Sequence, residues 1–273
     1  MSFIQLVVLS VIQGLTEFLP VSSTGHLILG SWLFNWPDQG FLFDVAVHVG
    51  TLSAVVIYFR REWLQLLTGL ASNQLVKVDD SGGVVKARTL VLLIIIGTIP
   101  LAVAGLIISE NIFVSFRTPE VVGWLLIGTA GVLFLGEILG SGVRKLGALT
   151  PTNAALIGLV QITAVLPGIS RSGVTMAAGL ALGMSRDAAA RFSMLLAAPA
   201  IAGAGLFLAL RASRWPTETD WGAMVVGALL SACTAYVAIG WLVRLLRTRS
   251  FRPFIFYCLT VGVGVVVARS VGA

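Results

Sequence analysis

The sequence predicts an all-α integral membrane protein: six transmembrane helices plus two re-entrant helical hairpins, arranged as an inverted-topology repeat. Three observations carry this prediction. Of the 273 residues, 57% are hydrophobic and 11% charged. Soluble domains carry roughly 25% charged residues, and so few could not clothe a soluble surface. Long apolar runs recur, with no charge from Thr89 to Ile108 or from Val121 to Gly136, and about 20 apolar residues span a bilayer core. Two further runs are too short to cross, and each breaks at a proline inside a polar patch. A β-barrel would show short alternating segments instead.

Taken in order, residues 3–16 form an apolar run that stops at Glu17 and Pro20, and a second, His26 to Trp36, ends at Pro37-Asp38. Together they predict a hairpin that enters the membrane and returns. Such backbone is tolerated only where protein or a watery cavity surrounds it. A full span is expected at 41–58, then a polar loop from Arg60 to Arg88 with turn markers at Asn73, Asp79-Asp80 and Gly82-Gly83. Spans at about 89–108 and 119–139 follow. After a polar break over 140–150, Thr150 and Pro151 have the character of a cap and a first turn. The run 151–166 is again too short; it meets Pro167-Gly168 and the polar stretch ISRSGVT, then another short run to Gly183. Spans at about 188–210, 221–243 and 253–271 complete the chain.

The two short hairpins match. Leu19-Pro20 and Ser23 align with Leu166-Pro167 and Ser170, and Thr16 with Thr163, at an offset of 147 residues. Each hairpin precedes three spans, and an odd number of spans inverts one half against the other. The expectation is a single membrane domain over 1–273, with repeats of about 1–139 and 150–273 and a site near the midplane. Loops 59–88, 140–150, 184–187 and 244–252 hold twelve Lys and Arg, against Arg117, Arg211, Arg214 and Arg269 on the other side. By the positive-inside rule the first group is cytoplasmic. Both termini then face outward, and the two hairpins enter from opposite sides so that their tips meet.

Other features are informative by what they exclude. No Lys or Arg precedes Arg60, so a cleaved signal peptide is not expected. The formal charge of +6 reflects orientation, not nucleic-acid binding. Cys233 and Cys258 lie in apolar runs, are expected to be buried small hydrophobes and form no metal motif. Trp32, Trp36, Trp215, Trp221 and Trp241 have the character of an interfacial belt.

The chemistry is concentrated in QGLTEFLPVSSTGH, residues 13–26. Gln13 and Glu17 lie four apart and share a helix face. An ionisable group in a membrane segment is a functional hypothesis by default. Ser22, Ser23 and Thr24 could simply cap the next helix, but beside His26 and Glu17 they suit acid/base work. The second tip, Gly168 with Ser170, Arg171, Ser172, Gly173 and Thr175, reads as a phosphate cradle: glycines for close approach, a helix start for anions and a guanidinium fork for phosphate. It is not a Walker loop, because Val174-Thr175 stands where Lys-Ser/Thr is required. Arg191 reaches either this cavity or the cytoplasmic surface. Asp44, His48 and Glu137 read first as polar groups near span ends or as internally paired.

These two stretches resemble the signature motifs of the bacterial undecaprenyl-diphosphate phosphatase family of the bacitracin-resistance type, and the resemblance extends over essentially the whole chain, including FRRE after the first span and ARFSMLLAAPA at 190–200. The family's Glu/Gln-x-x-x-Glu falls on Gln13 and Glu17. Its Pro-Gly-x-Ser-Arg-Ser-x-x-Thr falls on Pro167 to Thr175 without a departure. The resemblance implies removal of the terminal phosphate from a C55 isoprenoid diphosphate, giving the monophosphate lipid carrier for cell-wall synthesis. Ser23 is then the expected nucleophile, with Glu17 and His26 as base and acid. Arg171 joins them at the reacting phosphate; Gln13, Ser22, Thr24, Gly168, Ser170, Ser172, Gly173, Thr175 and Arg191 bind substrate. Alternatives are His26 as nucleophile, or Glu17 with Gln13 holding a divalent cation (Mg or Ca) that activates water. No organic cofactor is expected. Expected partners are the isoprenoid diphosphate, membrane lipids and, as an option, a second copy in a homodimer. A competing class is an isoprenoid-lipid transporter or flippase, argued from the inverted repeat alone. A third class, the lipid phosphatases with a Pro-Ser-Gly-His motif, is set aside because its catalytic His and Asp would fall on Ala177 and Ala181.

Overall fold

A computed structural model describes residues 1–77, 83–107, 115–209 and 220–272. The described residues are mostly helical: α1 (Phe3–Thr16), α2 (Ser23–Leu33), α3 (Phe41–Tyr58), α4 (Arg60–Ser72), α5 (Ala87–Ile107), α6 (Pro119–Leu139), α7 (Pro151–Gln161), α8 (Arg171–Ala181), α9 (Arg186–Ala209), α10 (Trp221–Leu246) and α11 (Arg252–Ser270). Five of these, α5, α6, α9, α10 and α11, are long and apolar enough to cross a membrane, and a sixth span results if the bent pair α3–α4 counts as one.

The polar stretch after α3 is the main departure from expectation. Instead of a loop, Arg60 opens α4 at a bend of 72°, and a small antiparallel pair follows, β1 (Leu75–Lys77) against β2 (Val84–Lys86), with Val76 opposite Val85. Charged residues at its start hide an amphipathic pattern in RREWLQLLTGLAS: Leu66 and Gly69 are buried. Asn73 ends the helix at φ 51°, the left-handed conformation that Asn tolerates better than most. Asp79, Asp80 and Gly82 lie outside the described residues, as do Ile108, Arg211, Arg214 and Trp215. Cys258 is buried as expected, but Cys233 is exposed on α10; an apolar run does not distinguish a core-facing residue from an outward-facing one.

Local signals set the short helices. Ser2 caps α1 by accepting from the Gln5 N–H, and Pro20 prevents continuation into α2. Thr150 and Asn153 form a reciprocal capping box on α7. A tight turn over 162–165 then leads to the Pro167-Gly168 break. Gly168 sits at φ 112°, which excludes a side chain, and Ser170 caps α8 by accepting from the Gly173 N–H at 3.0 Å.

Packing partners come in pairs. α1 and α3 both pack on α10, while α7 and α9 both pack on α5; α3 meets α9, and α6 meets α11. Close approach rests on small residues, as expected where lipid offers no hydrophobic drive between helices. A Cβ at Gly14 would run into the Ser231 carbonyl, and one at Gly158 would lie 2.6 Å from the Gly97 carbonyl oxygen. Gly158→Val is therefore expected to destabilise by about 3 kcal/mol, the upper end for overpacking against unyielding backbone, with a fall in Tm of about 5–10 °C, measurable by thermal unfolding in detergent.

Candidate active site

Glu17 is the hub of the first tip. It caps the end of α1, is buried, accepts hydrogen bonds from three residues and has a fourth polar side chain close by. Gln13 Nε2, one turn back, donates to its Oε2 at 2.9 Å. Ser23 Oγ, at the start of α2, donates to the same oxygen at 2.6 Å. Arg171, opening α8, donates to Oε1 at 3.3 Å, and His48 Nε2 on α3 lies 3.6 Å from Oε2. A buried carboxylate persists only with such partners. Opposite charge comes from the second half of the chain, 154 residues away.

The second tip holds Arg171 in place. Its other terminal nitrogen donates to the Ser193 carbonyl on α9 at 3.4 Å, and Thr175 Oγ1 lies 2.7 Å from Ser193 Oγ. Thr129 on α6 braces the turn from behind, donating to the Gly168 carbonyl at 3.0 Å and accepting from the Ser170 N–H at 3.1 Å. Besides the Arg171–Glu17 bond, two more join the tips directly: the Gly168 N–H donates to Ser22 Oγ at 3.1 Å, and Ser172 Oγ donates to the Leu19 carbonyl at 2.9 Å. The backbone N–H groups of Arg171 and Ser172 precede the first bond of α8, from Val174 to the Ser170 carbonyl, a place where anions bind.

Gln13, Glu17, Ser23 and Arg171 thus come together as the sequence suggests. Ser22, Ser170, Ser172 and Thr175 are present at the same place, but their hydroxyls are engaged in assembling and joining the tips. Thr24, half-buried beside them, takes no part in these bonds among the described residues. Arg191 turns away, donating from Nε to Asp187 at 3.1 Å and pairing with Glu62 of α4 at 3.6 Å. His26 also turns away: Nδ1 lies 2.8 Å from the Ser22 carbonyl and Nε2 2.7 Å from the Tyr257 hydroxyl. Asp44 pairs with Arg117 and Glu137 with Arg186, the internal pairing expected of them. His48 is the exception, since it reaches Glu17. Its signal, an ionisable side chain within a span, is no stronger than that of Asp44. Thr129 and Ser193 carry no signal in an apolar run.

Chemically, the arrangement offers a hydroxyl bonded to a buried carboxylate, with a guanidinium across from both. That suits displacement at phosphorus, in which a nucleophile loses a proton while charge on phosphate oxygens is neutralised. The family profile described as Bacitracin resistance protein BacA matches residues 6–264. An undecaprenyl-diphosphatase from Hahella chejuensis (strain KCTC 2396) is 42% identical over 267 residues, covering 98% of both chains. Undecaprenyl-diphosphatase 1 from Pseudoalteromonas translucida (strain TAC 125) is 42% identical with the same coverage. An undecaprenyl-diphosphatase from Alcanivorax borkumensis is 42% identical over 265 residues, covering 96% of this chain and 97% of that one. With a profile match over most of its length and relatives this similar from end to end, the chain belongs to the bacitracin resistance protein BacA family.

Proposed function

We propose that this chain is an integral-membrane phosphatase that hydrolyses undecaprenyl diphosphate to undecaprenyl phosphate and inorganic phosphate. This recycles the lipid carrier of cell-wall synthesis and confers bacitracin resistance. The observation that carries the reading is the 2.6 Å hydrogen bond from Ser23 to Glu17, placed opposite Arg171 in a family whose relatives are named for this hydrolysis. No observation favours transport.

Ser23 Oγ attacks the terminal phosphorus as its proton passes to Glu17. The bond to the bridging oxygen breaks, and its electron pair leaves with the lipid monophosphate. A phosphate monoester has a second pKa of about 6, so the leaving group departs near neutral pH without a general acid. His26, held elsewhere, is not needed for that step. Glu17 releases its proton to bulk water, then accepts one from the water that attacks phosphoserine, and Ser23 is regenerated by the proton returned to it. Arg171 is the grip: it shifts from Glu17 toward the diphosphate oxygens, and His48 remains beside the carboxylate.

A divalent cation fits this donor set in a limited way. Gln13 Oε1 is buried without a hydrogen-bond partner among the described residues, and an amide oxygen beside a carboxylate is what Mg or Ca takes. Glu17 and Gln13 would hold it, with the diphosphate and water completing its shell, because no three of His, Cys, Asp or Glu gather among the described residues. When bound it would neutralise charge on the diphosphate.

The finer architecture follows the same proposal. Six spans and two re-entrant hairpins form inverted repeats of about 1–139 and 150–273 within one membrane domain, in the bacterial inner membrane with both termini and the site facing outward. Exchange of packing partners supports it: α1 and α3 on α10 mirror α7 and α9 on α5, and α6–α11 and α3–α9 are self-paired. The test is phosphate release from undecaprenyl diphosphate by the purified protein in lipid vesicles. Turnover is expected; an intact lipid diphosphate after prolonged incubation overturns the reading.

A further inference from the structure

We propose that Tyr257 is a positioning residue for this phosphoryl transfer, acting through His26 to hold the turn that aims Ser23 at Glu17. The proposal rests on the phosphatase reading above. It begins at Ser22, which stands at φ 70°. A non-glycine residue stays in that region only where its surroundings over-determine it. The Ser22 hydroxyl is held by Gly168. Its carbonyl accepts twice from one residue, from the His26 backbone N–H at 3.2 Å and from His26 Nδ1 at 2.8 Å.

A ring nitrogen bonded to a carbonyl must carry the proton, so Nδ1 is the donor. Nε2 of the neutral ring is then an acceptor, and the Tyr257 hydroxyl donates to it at 2.7 Å. The two rings are stacked, with centroids 5.5 Å apart and planes within 13°. Neither imidazole nitrogen faces Glu17 or Ser23, which argues for a buttress and against a proton donor to the reaction. The neighbouring residue reinforces the same wall: Cys258 Sγ donates weakly to the Pro20 carbonyl at 3.6 Å. Two successive residues of α11, a helix that otherwise packs on α6, therefore brace the turn over 20–26 from behind. Ser23 is the next residue after the carbonyl so fixed.

Phosphate release is measured for wild type, Tyr257→Phe, His26→Asn, His26→Ala and the double variant Tyr257→Phe with His26→Asn. Tyr257→Phe keeps the ring and loses one hydrogen bond, so kcat is expected to fall about tenfold with KM unchanged within about twofold. His26→Asn retains a side-chain donor for the Ser22 carbonyl and is expected to keep about a tenth of wild-type kcat, against a loss of about a hundredfold or more for His26→Ala. Adding Tyr257→Phe to His26→Asn should cost nothing further, since the hydroxyl no longer has its acceptor. A spectroscopic readout is independent of activity. The chain has 2 histidines, so ¹⁵N-histidine spectra, assigned with His48→Gln, should show one protonated and one hydrogen-bonded ring nitrogen for His26. The second should shift in Tyr257→Phe. Full kcat in Tyr257→Phe, an unshifted nitrogen, or His26→Asn as inactive as His26→Ala overturns the proposal. A wild-type protein that releases no phosphate overturns the phosphatase reading and this proposal with it; an active wild type beside an unaffected Tyr257→Phe overturns this proposal alone.

Discussion

Glu17→Gln will lower kcat for undecaprenyl diphosphate about a thousand-fold, within the range for loss of a general base, and will not raise KM. The substitution keeps the shape of the side chain and an oxygen that can still accept from Gln13 and Ser23, which now bond Oε2 at 2.9 and 2.6 Å. What it removes, on the proposed mechanism, is the group that takes the Ser23 proton. It also leaves the Arg171 guanidinium without its anionic partner at 3.3 Å. Breaking a buried pair from one side costs on the order of 3 kcal/mol, so Tm should fall while the fold persists. The same change frees Arg171 for phosphate, which is why KM should hold or drop. Steady-state kinetics together with thermal unfolding check all three parts. A variant that keeps wild-type kcat would remove Glu17 from the chemistry.

Arg171→Lys is expected to show the opposite signature: KM rises, and kcat/KM falls about 10²–10³-fold, the loss typical of one well-placed donor to a charged transition state. Arg171 spans two anchors from two nitrogens, the Glu17 carboxylate at 3.3 Å and the Ser193 carbonyl at 3.4 Å. An ammonium is a single point charge and cannot hold both anchors while presenting a planar fork to phosphate. Retention of charge with loss of function would separate geometry from simple electrostatic attraction. Comparing the two variants under one assay therefore distinguishes the group that moves the proton from the group that grips the substrate.

Much of the fold is legible in the amino-acid sequence. The bounds of α5, α6, α9, α10 and α11 follow from the length of apolar runs, because a fixed hydrocarbon thickness sets the length of a helix able to cross it, and the run at 41–58 gives α3. α4 escapes that reading because its charged start and small residues outweigh a buried face made by Leu66 and Gly69. In the site, Gln13, Glu17 and Arg171 stand out because polar groups in an apolar background must have a reason to be there. The hydroxyls are harder to read. Ser22 and Ser172 have the pattern of phosphate ligands, yet each bonds backbone of the opposite tip, a cross-link between residues about 150 positions apart that no local pattern reports. His26 has the composition of an acid/base residue, and its actual partner is Tyr257, 231 residues away. His48 shows the reverse case: it resembles a paired polar group and instead meets the carboxylate at the centre.

On the proposed mechanism Ser23, activated by Glu17, receives the phosphoryl group. Mixing the purified protein with undecaprenyl diphosphate, quenching with acid during turnover and mapping the digest by mass spectrometry tests it directly. Phosphoserine at position 23, absent in Ser23→Ala along with phosphate release, is the predicted result. Phosphate released at the wild-type rate by Ser23→Ala, or phosphorylation found on His26 or His48 instead, would contradict it.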